Sequence, residues 1–291
     1  MKIHKLLLLV FVSVLTLSQC STDDENGTTV ISDDTPIPFE DVNFEQCVKS
    51  KLGMSSNEVI IYGDVKNMTE LLCGDKNITN IEGIGYFKNL EILWLDKNQL
   101  TIISSSLTDL HNLKGIWLQG NKLTKFPTEL LDLSNIQSIN LDDNQLTNIP
   151  SSIDNLSNLR GISLNNNQLT SLPLEIGNLA NLQALWLRSN KLSSVPSTIG
   201  NLANLQNLSF SGNQLTGIPS SIGNLTKLES LWLYNNQLTS IPSSIDNLTN
   251  LNLLQLYNNP TLTGSLKILG ICNVSDISNY IYNTQLVNDC P

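Results

Sequence analysis

Charged, aromatic and histidine residues are scarce in this sequence, and these shortages narrow its possible functions. Only 14% of the 291 residues are charged, 5% are aromatic, and there are two histidines. Because His4 lies in the N-terminal leader, a Ser/His/Asp or Cys/His catalytic arrangement would have to use His111, which lies in a repeated turn. We expect His111 to be a solvated surface residue, and we expect the protein not to be an enzyme.

Sequence motifs for cofactors and metals are also missing. The sequence contains no P-loop, no dinucleotide fingerprint and no EF-hand loop, and no Cys-x-x-Cys or histidine-rich spacing accompanies its cysteines. The chain is acidic, with 26 Asp and Glu against 16 Lys and Arg and a net charge of −10. This charge argues against nucleic acid or an anionic membrane surface as the main partner. No cofactor, metal or nucleic-acid partner is therefore expected.

The longest apolar run, 6–17, is too short to span a bilayer as a stable anchor. It follows the basic residues Lys2 and Lys5, so residues 1–19 are predicted to be a secretory signal. The signal ends in Leu-Ser-Gln-Cys at Cys20, which resembles the lipobox of bacterial lipoproteins. The resemblance implies that Cys20 is diacylated and becomes the new N-terminus, so that the protein meets the membrane only through its lipid. The alternative is an ordinary cleavage site near Cys20, which would make the protein secreted.

The segment that follows Cys20 is polar and acidic and lacks aromatic residues. Residues 20–35 are therefore expected to carry the lipid and to form a disordered acidic tether. An acidic tract just after a lipidated cysteine also resembles the surface-export signal of certain diderm bacteria. These features together favour an exported protein that is anchored to the outer membrane or cell surface.

Residues 68–262 contain nine registers of one repeat with a period of 23 residues, the first of them one residue shorter. A representative copy, 182–204, reads LQALWLRSNKLSSVPSTIGNLAN. The consensus L-x-x-L-x-L-x-x-N-x-L-x-x-I-P resembles the leucine-rich-repeat family, and the first register resembles that of internalin-like surface proteins. The resemblance implies a solenoid in which each repeat packs on its neighbours.

The pattern inside each repeat predicts an α/β solenoid shaped like a horseshoe. Ala184, Trp186 and Arg188 alternate with Leu185 and Leu187, as a half-buried strand requires, so each repeat should add one strand to a parallel concave sheet. A proline fixes its own φ and removes a backbone donor, so it should open a short helical turn on the convex side. Such prolines recur at Pro127, Pro150, Pro173, Pro196, Pro219 and Pro242.

One asparagine recurs in the turn after every strand from the second register onward. A buried amide there can bond the free backbone groups of its own bend and of the next coil, so we predict a structural asparagine ladder. Its members are Asn98, Asn121, Asn144, Asn167, Asn190, Asn213, Asn236 and Asn259.

Both ends of the solenoid should carry caps, because an open end would expose the leucine core. Residues 36–67 are the expected N-terminal cap, with apolar residues at helical spacing after a capping Asp41 or Asn43. Residues 263–291 lose the repeat and are the expected C-terminal cap. If Cys20 carries lipid, two cysteines remain in each cap region, and exported proteins use such cysteines in disulfides. Of the three connectivities, we prefer Cys47 with Cys73 and Cys272 with Cys290.

All four tryptophans of the chain occupy the fifth repeat position, which should point out of the concave sheet. Tyrosines occupy the seventh position of the last two registers, and two arginines lie on the same face. Trp, Tyr and Arg tend to dominate binding energy at interfaces, so this face is the candidate binding site. The alternative is that these side chains only pack on each other across the strands. The candidate residues are Trp94, Trp117, Trp186, Trp232, Tyr234, Tyr257, Arg160 and Arg188.

The leading hypothesis is a monomeric, non-enzymatic surface protein that binds a protein partner, for example in adhesion. A glycan-binding module that uses the indoles as stacking platforms is the main alternative. A third possibility is an envelope spacer that has no specific ligand.

Overall fold

The computed structural model describes residues 29–262 and the backbone of two further segments, 21–23 and 281–283. The predicted signal, Cys20, Cys272, Cys290 and most of the expected C-terminal cap lie outside the described residues. A short antiparallel pair, β1 (Ser21–Asp23) and β2 (Thr29–Ile31), precedes the N-terminal cap. In the described part of the chain, no helix is long and apolar enough to cross a membrane.

One open sheet of ten strands forms the main body of the protein. Nine strands, β3 to β11, are parallel and follow the order of the sequence, and β12 adds to β11 in the antiparallel direction. The strands are β3 (Glu70–Leu72), β4 (Ile92–Trp94), β5 (Gly115–Trp117), β6 (Ser138–Asn140), β7 (Gly161–Ser163), β8 (Ala184–Trp186), β9 (Asn207–Ser209), β10 (Ser230–Trp232), β11 (Leu253–Gln255) and β12 (Ile281–Asn283).

Short 3-10 helices connect the parallel strands on the opposite, convex side. From the third repeat onward, each begins directly after the predicted proline, which has an extended backbone with φ close to −65°. The prediction of a horseshoe solenoid with convex helical turns is confirmed. The helices are η1 (Ile84–Tyr86), η2 (Ser105–Asp109), η3 (Thr128–Asp132), η4 (Ser151–Asn155), η5 (Leu174–Asn178), η6 (Ser197–Asn201), η7 (Ser220–Asn224) and η8 (Ser243–Asn247).

Strand pairing keeps identical repeat positions side by side. Leu185 of β8 pairs with Leu208 of β9, and Leu208 in turn pairs with Leu231 of β10. These leucines are fully buried, or nearly so, and belong to one continuous core that also includes the N-terminal cap. The residues between them point outward, which places the third, fifth and seventh repeat positions on the concave face.

The asparagine ladder forms as predicted, in the interior of the solenoid. The side-chain amide of Asn144 donates to the carbonyl oxygens of Leu118 and Leu141, at 3.0 and 3.2 Å. Its side-chain oxygen accepts from the backbone N–H of Leu123, at 3.0 Å. Each ladder residue thereby satisfies buried backbone groups of two successive coils.

The N-terminal cap consists of α1 (Val42–Leu52) and α2 (Tyr62–Val65). Asp41 caps α1, and Phe44 and Val48 on its inner face are fully buried against the solenoid core. A disulfide joins Cys47 of α1 to Cys73 of the first repeat, which is the preferred pairing. The bridge ties the cap to the end of the sheet.

Residues 32–35 correct the expectation of a disordered tether that extends to residue 35. The backbone N–H groups of Tyr62 and Gly63 donate to the carbonyl oxygens of Thr35 and Asp33, both at 2.8 Å. The carboxylate of Asp33 also pairs with Lys66. Composition alone cannot reveal these contacts, because most of them use backbone atoms and depend on where α2 lies.

Candidate binding face

The concave face carries all six predicted aromatic residues, and each of them is half-buried. They lie on parallel strands at equal repeat positions, so neighbouring strands bring their rings close together. The structure arranges the six residues as three ring pairs. The pairs are Trp94 with Trp117, Trp186 with Trp232, and Tyr234 with Tyr257.

The first pair lies on the adjacent strands β4 and β5. The rings of Trp94 and Trp117 are stacked, with centroids 4.5 Å apart and an interplanar angle of 12°. The Trp117 ring folds back over Gly115 on its own strand. It lies so close that a Cβ at Gly115 would be 2.6 Å from two of its ring carbons. Gly115 therefore creates the space that sets the orientation of this indole.

The second pair spans two strand spacings. Trp186 lies on β8 and Trp232 on β10, yet their ring centroids are only 4.9 Å apart. The intervening strand β9 carries the small residue Ser209 at the same position, and Ser209 is only 3% exposed although it points toward the concave face. The two indoles therefore meet above Ser209, and this contact requires a small residue there.

The third pair extends the aromatic surface along the seventh repeat position. The rings of Tyr234 and Tyr257 are stacked, with centroids 4.5 Å apart and an interplanar angle of 8°. Burial raises the pKa of the Tyr257 phenol, and the adjacent Tyr234 phenol raises it further. The guanidinium of Arg188 opposes the rise, so its charge is felt at the tyrosine pair.

A hydrogen-bonded polar centre separates the first aromatic pair from the other two. The Asp142 carboxylate accepts from the Ser163 hydroxyl at 2.6 Å and from the backbone N–H of Asn165 at 2.7 Å. The Asn165 side-chain oxygen accepts in turn from the backbone N–H of Arg188, at 2.7 Å. These bonds link three consecutive coils and fix the side chains of Asp142, Ser163 and Asn165, so this part of the face is polar and preorganised.

The two arginines of the chain flank the strand segment that holds Trp186. Arg160 immediately precedes β7, Arg188 lies two residues beyond the end of β8, and both side chains are exposed. The ion pairs among the described residues use Lys49, Lys66, Lys88 and Lys114, and neither arginine takes part. Both guanidinium groups are available to a partner.

Sequence reasoning placed the aromatic residues on this face but missed the small residues that arrange them. Gly115 and Ser209 were not singled out, although each lies beneath an indole. Such a residue could be recognised as a small residue at a concave position beside a tryptophan. That recognition requires the strand register, which shows which residues are neighbours. Among the described residues, no group of three or more His, Cys, Asp or Glu side chains is placed to hold a metal ion.

Comparison with protein families agrees with this fold. A family model described as a leucine-rich repeat region matches residues 152–270, and a second, described as a leucine-rich repeat, matches residues 135–156. The comparison with curated proteins finds no significant match.

Similar solved structures come from bacteria and plants. A leucine-rich-repeat protein of Leptospira interrogans is 33% identical, with a TM-score of 0.58 over 71% of this chain and 62% of its own. Internalin C2 of Listeria monocytogenes is 29% identical, with a TM-score of 0.54 over 71% of this chain and 100% of its own. The ectodomain of the Arabidopsis thaliana receptor kinase GASSHO1/SCHENGEN3, in complex with CASPARIAN STRIP INTEGRITY FACTOR 2, is 35% identical, with a TM-score of 0.60. That match covers 68% of this chain and 25% of the plant chain. This chain therefore spans less than two thirds of the length of both the Leptospira protein, at 62%, and the plant protein.

Proposed function

The chain is a leucine-rich-repeat protein that resembles internalin-like proteins, and we propose that it binds a protein partner on the concave face of its sheet. Leucine-rich-repeat folds commonly mediate protein–protein interaction. The observation that carries the proposal is the set of three aromatic ring pairs on one face, at positions that the repeat itself does not dictate.

Ring pairing favours binding because it orders the side chains before a partner arrives. Each ring already contacts another ring, so little side-chain entropy remains to be lost on association. The rings also stay half-exposed, so apolar area remains that a partner can bury. A surface whose only role was packing between strands would not need tryptophan at four positions where Asn, Ser and Gln serve in other repeats.

Two of the similar structures are complexes, which supports a partner for this fold class. The GASSHO1/SCHENGEN3 ectodomain was solved with CASPARIAN STRIP INTEGRITY FACTOR 2, and a plant peptide hormone receptor, RGFR1, was solved with RGF2. The second of these is 27% identical, with a TM-score of 0.56 over 65% of this chain. By analogy, we extend a protein-binding role to this chain. The biological task that we propose for this binding is adhesion.

Export and lipid anchoring are part of the same proposal. The basic and apolar leader and the Leu-Ser-Gln-Cys sequence at Cys20 support a protein that is exported and then held by lipid at the cell surface. Metabolic labelling with a palmitate analogue should mark the intact protein, and a Cys20→Ser variant should lose the label. A wild-type chain without label would favour the secreted form.

The experiment that tests the proposed function compares the tryptophan pairs by immobilised-ligand binding. The protein probes are fibronectin, collagen and laminin, and the glycan probes are dextran, chitin oligosaccharides and oligogalacturonate. We expect saturable binding to at least one protein probe and a loss of tenfold or more in a Trp186→Ser/Trp232→Ser variant. A Lys125→Gln variant, whose exposed side chain lies off the sheet, serves as the control.

The other outcomes decide between the alternatives. Binding to a glycan probe alone, lost in the same tryptophan variant, would assign the face to sugars. No binding to any probe by a folded protein would favour the spacer hypothesis. Binding that both variants retain equally would place the partner on another surface.

A further inference from the structure

Charge divides the concave face into two halves. The relevant repeat positions are the outward third, fifth and seventh positions and the second position, which lies just before each strand at the edge of the face. On β3 to β6 these positions carry four acids and one lysine, which are Glu70, Glu91, Asp96, Asp142 and Lys114. On β7 to β11 the same positions carry two arginines and one acid, which are Arg160, Arg188 and Glu229. Lys114 is neutralised by Glu91 at 2.8 Å, so the first half is acidic while the second half is basic.

The basic half contrasts with the rest of the molecule. The full chain has a net charge of −10, yet both of its arginines lie here and neither has an ion-pair partner in the described part of the chain. A guanidinium is planar, permanently charged and suited to bidentate pairing with a carboxylate. Two such groups on an otherwise acidic protein indicate that the partner supplies the negative charge.

The two arginines are placed around the second aromatic pair. Strand geometry separates the Cα atoms of Arg160 and Arg188 by about 17 Å, on either side of the row that contains Trp186. Arg188 also lies close enough to the tyrosine pair for its charge to oppose the rise in the pKa of Tyr257. A partner segment that crosses the sheet at Trp186 can therefore contact the aromatic rings and the two guanidinium groups at the same time.

We propose that the second half of the concave face binds an acidic protein segment, whose carboxylates pair with Arg188 and Arg160 while its apolar side chains pack on the Trp186–Trp232 pair. This inference rests on the proposed function and names the chemistry of the partner. The polar centre at Asp142 bounds the site on the side of the acidic half, which repels the same segment. The charge division thus fixes which half of the face is occupied.

Peptide selection tests the inference without a known partner. A phage library of random 12-residue peptides is selected on the immobilised full chain, and in parallel on its Arg188→Gln, Trp186→Ser/Trp232→Ser and Lys125→Gln variants. We expect the peptides enriched on the wild type and on Lys125→Gln to be acidic and to contain large apolar residues. The acidic bias should disappear on Arg188→Gln, and the apolar bias on the tryptophan variant.

Synthetic peptides from the selection give the quantitative readout. Their affinity should fall about tenfold or more in Arg188→Gln and recover in part in Arg188→Lys, which keeps the charge but lacks the planar fork. It should also weaken as salt rises, because the guanidinium groups are exposed and their attraction to carboxylates is screened. Circular dichroism should show that each variant is folded like the wild type. An affinity that is unchanged in Arg188→Gln would overturn the inference.

Other outcomes separate this inference from the proposed function. Neutral or basic peptides that depend on the tryptophan pair would overturn the acidic partner and leave protein binding in place. If the wild type enriches peptides no more than the tryptophan variant does, the result would count against both the inference and the proposed function. Oligogalacturonate that binds more tightly than every selected peptide, and depends on Arg188, would assign the arginines to an acidic glycan and overturn the inference.

Discussion

The indole rings of Trp186 and Trp232 contact each other across an intervening strand, with centroids 4.9 Å apart. Two strand spacings would separate side chains that stood straight out of the sheet by about 9.5 Å. The rings therefore lean toward each other over Ser209, whose side chain they shield from solvent. This contact couples two repeats that are not neighbours and places two half-buried indoles together in the basic half.

Enlarging Ser209 should separate this pair. A Ser209→Val side chain would occupy the space beneath the rings, so we expect a weaker coupled near-ultraviolet circular dichroism signal from the two indoles. The loss of ring contact should cost about 1 kcal/mol in the free energy of unfolding. Thr170→Val places the same side chain at an exposed position off the strands and should leave the signal unchanged. An unaltered signal in Ser209→Val would show that the rings do not depend on a small residue there.

Two glycines on the convex side should respond differently to substitution by alanine. A Cβ at Gly200 would lie 2.4 Å from the carbonyl oxygen of Ser221 in the next coil, whereas a Cβ at Gly217 would meet no atom within 4 Å. Gly200→Ala must therefore push successive 3-10 helices apart, and we expect it to lower the free energy of unfolding by about 1–3 kcal/mol. Gly217→Ala should be neutral or stabilise by up to about 1 kcal/mol. Urea denaturation measures both, and equal midpoints would contradict the tight convex packing.

The fold could be predicted from sequence because one short pattern repeats nine times. Each copy gives the strand, the turn and the inward leucines, and neighbouring copies can stack only in register. The ring contacts could not be predicted, because the approach of Trp186 to Trp232 depends on the size of Ser209 on another strand. The contact of residues 32–35 with α2 was missed because it uses mainly backbone atoms, which leave no mark in composition.

A second asparagine ladder was also missed, although its signal was present in the repeat. These exposed residues donate from the side-chain amide to a carbonyl oxygen of the preceding coil, as Asn158 does to Ser134 at 2.9 Å. Their recurrence every 23 residues was visible, but exposed asparagines in turns are common and did not stand out. The members with this bond are Asn89, Asn112, Asn135, Asn158, Asn181, Asn204 and Asn250.

The two ladders should differ in energy. Asn167 bonds the buried carbonyl oxygens of Leu141 and Leu164 and the N–H of Leu146, at 2.9 to 3.1 Å. Asn167→Ala leaves those groups unsatisfied in the core, so we expect a loss of about 3 kcal/mol or more in the free energy of unfolding. Asn158→Ala exposes its partner to water and should cost less than about 1 kcal/mol. Similar losses in the two variants, measured by urea denaturation, would show that burial does not set the energy of these bonds.

The hydrogen bonds that the Asp41 carboxylate accepts lead us to expect that the N-terminal cap loses stability in acid. Its carboxylate accepts from the backbone N–H groups of Asn43, Phe44, Thr79 and Asn80 and from the Thr79 hydroxyl, so it joins the start of α1 to the first repeat. Burial alone would raise the pKa of Asp41, but these hydrogen bonds outweigh it and hold the pKa below its ordinary value. A carboxyl whose pKa is lowered by folding stabilises the native state above its unfolded pKa.

The stabilisation from Asp41 should therefore be complete at neutral pH and decline as the pH falls from about 4 through the lower native pKa. Asp41→Asn removes the charge and turns an amide N–H toward groups that donate, so we expect it to lower stability at pH 7 by about 2 kcal/mol. That difference should shrink as the pH falls below about 4, because protonation of the carboxyl in the unfolded state then favours unfolding of the wild type. Hydrogen exchange of α1 amides measures the effect, and Asp34→Asn, at an exposed position, is the control. A difference between Asp41→Asn and the wild type that stayed constant from pH 7 to pH 2 would show that the charge of Asp41 does not hold the cap.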